Sequence, residues 1–252
     1  MIYLTGDTHA GHDMYKLSSE ALDRQGIHFD DGDFLIVTGD FGFPFLPKEI
    51  DEFESSGGNS GEYAFWIKWF SALPCTVLFV DGNHDNHDWW AKQQVSEMFG
   101  GKVQIHPHAA NIVHLMRGEV YTIDGMTFFA FGGAVSIDKQ YRTEGVSWWA
   151  GEQATAAQIE NARANLKRVG SKVDFILSHT MPRSLIAAIP MFSRKLCPDT
   201  SAEFLEEVLA TVEYRAWFCG HFHVDMPVRA HRLYILYDNV TPLTRFEEMV
   251  GE

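Results

Sequence analysis

The chain has 252 residues, 46% of them hydrophobic and 21% charged, a globular mixture long enough to bury a sizeable core and unlike that of a disordered tail or a coiled coil. Twenty Lys and Arg against thirty-four Asp and Glu leave a formal net charge of -14. That balance counts against non-specific binding to long nucleic acid or to an anionic membrane, since both need cationic surface.

Met1–Thr5 is the first of several short apolar runs, and it ends abruptly in Gly6-Asp7-Thr8-His9. Phe34–Thr38 leads into Gly39-Asp40 in the same way. Residues 41–61, rich in Gly, Pro, Ser and acidic side chains, are expected to form a loop insertion with a short helix near Lys48–Phe53, either a solvent-exposed excursion or a substrate-side lid. Glu62–Leu73 carries Phe65, Trp66, Trp69, Phe70 and Leu73 at helical spacing, and Pro74 stops it. Thr76–Val80 runs into Asp81-Gly82-Asn83-His84-Asp85.

From Val103 to Phe131 the chain is strand-rich, divided by Gly118 and an Asp124-Gly125 turn. Ala154–Val169 and Ala202–Tyr214 read as amphipathic helices, the second with Ser201 as its N-cap. Val173–Ser178 leads into His179, Arg215–Cys219 into Gly220-His221-Phe222-His223, and Arg232–Tyr237 is expected as a closing strand. Continuous apolar runs suit strands covered on both faces, and their interleaving with helices and hairpins indicates an α/β fold with mixed sheets. No repeat or linker divides the sequence, so residues 1–252 are expected to form one domain. Cys75, Cys197 and Cys219 are too widely spaced for a disulfide framework or a thiolate zinc site. With no export signal and no apolar run near the roughly 18 residues of a membrane span, the expected location is cytoplasmic.

Ligands of open α/β sheets gather beyond the carboxyl ends of strands. Five strands here end in Asp, His or Asn, which would let Asp7, His9, Asp40, Asn83, His179, His221 and His223 converge on one crevice. Imidazoles mixed with carboxylate and amide oxygens suit Mn, Fe, Zn, Co or Ni better than Ca or Mg. Seven ligands exceed what one tetrahedral ion takes, and suit two divalent ions sharing a carboxylate about 3.5–4 Å apart. One such residue alone reads as readily as a cap or turn; five blocks in order do not. The remaining histidines, His12, His28, His87, His106, His108, His114 and His231, fall outside the set, although His12 and His87 lie close to ligand blocks in sequence.

Asp7-x-His9, Gly39-Asp40, Gly82-Asn83-His84-Asp85, His179 and Gly220-His221-x-His223 together resemble the signature of the calcineurin-like metallophosphoesterase superfamily. The resemblance implies a four-layer αββα sandwich of two mixed β-sheets flanked by helices. It implies two divalent ions, manganese foremost: Asp7, His9 and His223 would hold the first, Asn83, His179 and His221 the second, and Asp40 would bridge them. It further implies in-line attack on phosphorus by a water or hydroxide between the ions. His84 would protonate the leaving oxygen or stabilise the transition state, with Asp85 orienting His84.

Phe41-Gly42-Phe43-Pro44 lacks the phosphate-clamping arginine that follows Gly-Asp in protein Ser/Thr phosphatases and symmetrical dinucleotide-tetraphosphate hydrolases. Lipid-A pathway pyrophosphatases usually have Arg where His84 stands. Gly132-Gly133 before Tyr141-Arg142, and Ser178-His179-Thr180-Met181-Pro182-Arg183, partly resemble RNA lariat debranching enzymes. On that likeness Arg142, Tyr141 and Arg183 are candidate substrate contacts and the glycine pair a place of close ligand approach. Trp148 and Trp149 would stack a base or pack against the following helix. The sequence thus reads as a phosphomonoester or phosphodiester hydrolase, or a small debranching-like nuclease or nucleotide phosphodiesterase. The contrasting class is a non-catalytic scaffold, which would be expected to lose ligands or His84. The expected partner is a small phosphorylated molecule, nucleotide or short nucleic-acid end, with no long duplex and no membrane.

Overall fold

Successive side chains of a strand point to opposite faces, so an unbroken apolar run demands an apolar layer on each side. The computed structural model, which describes residues 1–193 and 196–250, supplies both layers. Among the described residues the first sheet comprises β1 (Ile2–Thr5), β2 (Phe34–Thr38), β3 (Thr76–Val80), β4 (Val95–Met98), β5 (Gly101–His106) and β6 (Ala109–Leu115). The second comprises β7 (Glu119–Ile123), β8 (Met126–Phe131), β9 (Phe175–Ser178), β10 (Ala216–Cys219), β11 (Met226–Val228) and β12 (Leu233–Ile235), after which β13 (Thr241–Pro242) returns to the first. The orders are β13-β1-β2-β3-β6-β5-β4 and β11-β12-β10-β9-β8-β7.

Ile2, Leu4, Ile36, Leu78 and Val80 meet Phe128, Ala130, Phe175, Leu177 and Phe218 in a core between the sheets. The alternate residues Leu35, Val37, Val77 and Phe79 pack outward with Leu22 of α1 (Ser19–Gln25), Phe53 of α2 (Pro47–Ser55) and Ile67 and Phe70 of α3 (Glu62–Ser71). A short turn of helix, α4 (His87–Trp90), adds Trp90 to this layer. On the opposite side Ile176, Trp217 and Cys219 pack with Leu166 of α5 (Ala156–Arg168), Leu185 and Ile186 of α6 (Arg183–Ala188), Phe192 of α7 (Pro190–Ser193) and Leu205 and Val208 of α8 (Thr200–Thr211). Helix, sheet, sheet and helix thus form four layers, the αββα sandwich.

β1, β2 and β3 run parallel, as do β9 and β10, and this directs their carboxyl-end loops toward one rim. Three local expectations are corrected. The N-cap of α8 is Asp199, whose Oδ1 accepts the Ser201 and Ala202 N–H groups, so Ser201 lies inside the helix. Helix α2 is longer than expected, because Pro47 opens it and Glu49 accepts the Phe45 and Leu46 N–H groups. The last described element is a helix, α9 (Leu243–Val250), because Leu243 and Phe246, three apart on one helix face, fill the core between the sheets. Among the described residues no helix is long and apolar enough to cross a membrane.

Candidate metal centre

The loops after β1 and β2 are stitched together by the Thr8 and His9 N–H groups, which donate to Asp40 O at 3.0 and 2.8 Å. Glycine precedes Asp40 and Asn83 for a steric reason. A Cβ on Gly39 would lie 2.0 Å from His179 Nδ1, and one on Gly82 would lie 2.1 Å from Asp40 Oδ1. Five of the seven predicted ligands hold a left-handed backbone, with φ of 29° at Asp7, 45° at His9, 50° at Asp40, 68° at His221 and 54° at His223. Such conformations cost on the order of 1–3 kcal/mol each and are characteristic of functional sites.

Six of the seven predicted ligands form two groups, in each of which the ligand atoms lie within 4.8 Å of one another. One holds Asp7, His9, Asp40 and His223, and the other holds Asp40, His179 and His221. Asp40 belongs to both, with Oδ2 3.0 Å from His9 Nε2 and Oδ1 3.3 Å from His179 Nε2. Asn83 joins the second group through Oδ1, 3.2 Å from His179 Nε2. His179 Nδ1 donates to Thr38 O at 2.9 Å, which leaves Nε2 facing inward. His9 Nδ1 donates to Asp13 at 2.6 Å, the carboxylate–histidine arrangement that orients metal-binding imidazoles. His223 stacks on Tyr237, 4.7 Å between centroids and 8° between planes. A compact set of carboxylate, imidazole and amide donors with one shared carboxylate fits two divalent ions.

Burial disfavours charge on His9 and His179, but Asp40 outweighs it. Its hydrogen bond and charge, with Asp7 and Asp13, lift His9 to about 9, and its charge and hydrogen bond, with Asp7, lift His179 to about 10. Burial likewise opposes the Asp40 anion, yet His179, His84 and His9 hold it well below the usual carboxylate range. Burial pushes Asp7 up to about 6 against the pull of His179. The two raised histidines therefore stabilise the metal-free fold fully below their ordinary 6.5, and that contribution is lost as pH rises through about 9 to 10. Because a metal takes the neutral imidazole, ion affinity should climb over the same range and uptake near neutral pH should release protons. Calorimetric Mn²⁺ titration in buffers of different ionisation enthalpy measures this; a buffer-independent heat would contradict it.

His84 belongs to neither group. Its N–H donates to Asp40 Oδ1 at 2.6 Å, and its ring lies 5.2 Å from that of His9, at the wall of a cavity of about 690 Å³. Asp85 does not orient it: the buried Asp85 carboxylate accepts the Gly42 and Gly82 N–H groups, both at 2.7 Å, and so ties the loops after β2 and β3 together. The ring is met instead by Arg142, whose NH1 donates to His84 Nδ1 at 3.1 Å while Nε and NH2 pair with Asp138 at 2.8 Å.

The other proposed substrate contacts separate. Tyr141 is 85% exposed, and Arg183 donates to Cys197 O, away from the large cavity. Gly132 and Gly133 approach protein rather than ligand, since Cβ atoms there would meet Asp81 O at 2.4 Å and Glu152 O at 2.5 Å. Trp149 is buried edge-on to Phe45, so it packs and does not stack a base. Phe45, Leu46 and Glu49 bring the 41–61 insertion to the cavity wall, and His12 also lines it. His87 braces the Asn83 loop by donating to Gly82 O at 2.9 Å. Asp13 was legible as an i+4 partner of His9 but was missed, as were Ser136 and Glu152, which lie behind Asn83.

The calcineurin-like phosphoesterase family profile matches residues 1–225, and the chain belongs to that family. Among solved structures it is similar to the phosphopantetheinyl hydrolase PptH of Mycobacterium tuberculosis, at 16% identity and a TM-score of 0.45, over 98% of this chain and 91% of that one. It is also similar to a putative 5'-nucleotidase from Staphylococcus aureus, at 11% identity and a TM-score of 0.46, over 94% of this chain and 48% of that one. A comparison with curated proteins finds no match.

Proposed function

We propose that this member of the calcineurin-like phosphoesterase family hydrolyses a small phosphomonoester or phosphodiester with two divalent ions, manganese foremost. The observation that carries the reading is the pair of ligand groups sharing Asp40 beside a cavity with His84 at its wall. When bound, two such ions would neutralise phosphoryl oxygens and acidify an attacking water. Asp7, His9, Asp40 and His223 would hold one, and Asp40, Asn83, His179 and His221 the other.

His84 serves the leaving group. Burial lowers its pKa, and the Arg142 cation adds to that against the pull of Asp40, so the neutral form of the ring is favoured over its ordinary balance. Arg142 meets both ring nitrogens, NH1 at 3.1 Å from Nδ1 and NH2 at 3.5 Å from Nε2; with the shorter contact accepted at Nδ1, the ring proton is assigned to Nε2. That arrangement favours stabilising developing charge on the leaving oxygen by an N–H donor. The cavity limits the substrate's charge as well as its size. Arg142 is already paired with Asp138, while Asp13, Glu49 and Glu62 share the same wall. One phosphate with an uncharged or cationic remainder suits this lining better than a polyphosphate chain. The test is Mn²⁺-dependent cleavage of p-nitrophenyl phosphate and of its bis-ester. At least one should turn over and stop on chelation, the ratio assigning monoesterase or diesterase; metal-independent or absent turnover of both would refute the reading.

A further inference from the structure

Asn83 is held from behind by residues that belong to neither ligand group. While its Oδ1 faces His179, its Nδ2 donates to Ser136 Oγ at 3.2 Å. Ser136 is 2% exposed, and its own N–H donates to Glu152 Oε1 at 3.0 Å. Glu152 is fully buried, and Arg117 NH2 donates to its carbonyl at 3.2 Å. Arg117 Nε in turn donates to Asp81 Oδ2 at 2.7 Å, two residues before Asn83. The contacts close a ring from Asp81 through Arg117, Glu152 and Ser136 back to Asn83, with Gly132 and Gly133 packed tightly against it.

An amide has one acceptor end and one donor end, and a cation can use only the oxygen. Asn83 projects from a loop, so its amide needs an anchor to keep that oxygen turned inward, and Ser136 supplies one. We infer that Ser136, fixed by Glu152, is a positioning residue: it holds the Asn83 amide oxygen toward His179 and thereby governs retention of the ion in the second group. The inference rests on the two-ion reading above.

Calorimetric Mn²⁺ titration of wild type, Ser136→Ala and Ser136→Thr tests it, with metal-free melting temperatures measured alongside. Loss of an outer partner of a metal ligand typically costs about 10–100-fold in affinity. Ser136→Ala should lose that much at one ion only, with the other ion unchanged and the metal-free melting temperature lowered at most by the few degrees that one lost buried hydrogen bond costs, and Ser136→Thr should restore the weakened ion through its hydroxyl. Wild-type affinity for both ions in Ser136→Ala would overturn the inference. So would an equal weakening of both ions with a lowered metal-free melting temperature, which marks a merely structural role. Failure of Ser136→Thr to restore the ion would also count against the hydroxyl as the anchor. Wild type that takes up fewer than two ions would bring down the two-ion reading itself, and this inference with it.

Discussion

Asp40→Asn should reduce Mn²⁺ uptake from two ions per chain to at most one and lower turnover by more than the roughly 100-fold that loss of an outer partner of a metal ligand costs. Asp40 alone belongs to both ligand groups, and its two oxygens face in different directions, one toward His179 and the other toward His9. An amide replaces one of those oxygens with a donor and removes the charge, so at least one group loses a ligand whichever way it turns. The same change should appear without any metal. Asp40 is the principal cause of the raised His9 and His179 pKa values, so Asp40→Asn should flatten the loss of metal-free stability between about pH 6.5 and 10. Elemental analysis and thermal melts across that range measure the two effects. Two retained ions with near-wild-type turnover would remove Asp40 as the shared ligand.

The strand-end residues were legible because each follows an apolar run whose length and lack of alternation announce a buried strand, and the parallel β1–β2–β3 arrangement then gathers the polar residues that follow. Helix α1 was not, since within Ser19–Gln25 only Ala21 and Leu22 are buried, too few to set a period. Strand β4 has no buried residue, and it is defined by its pairing with β5 rather than by composition. The Asn83–Ser136 contact joins positions 53 residues apart, and nothing local to either one signals it. Asp85 shows the converse error. Its neighbour in sequence is His84, but a buried carboxylate between two loops finds the backbone N–H groups of Gly42 and Gly82 nearer to hand. Sequence adjacency therefore located the candidate site but misassigned one of its supports.

His84→Ala should keep both ions yet lose about 10²–10⁴-fold in turnover, the usual worth of a positioned proton donor. Retention follows from the ring standing outside both groups and from the main-chain N–H, which alanine keeps, being what touches Asp40. The size of the loss should depend on the leaving group. p-Nitrophenolate is stable enough to depart with little help, whereas an alkoxide or unsubstituted phenolate develops charge that His84 Nε2–H would stabilise. The loss should therefore be greater for phenyl phosphate than for p-nitrophenyl phosphate. Arg142 adds a second discriminating comparison, because its NH1 donates to His84 Nδ1. Arg142→Ala should share the leaving-group dependence in weaker form if Arg142 acts through His84, and should instead raise KM for both substrates alike if Arg142 chiefly clamps phosphate. Equal losses on the two esters in His84→Ala would place His84 away from the leaving oxygen, and unchanged turnover would remove it from the reaction.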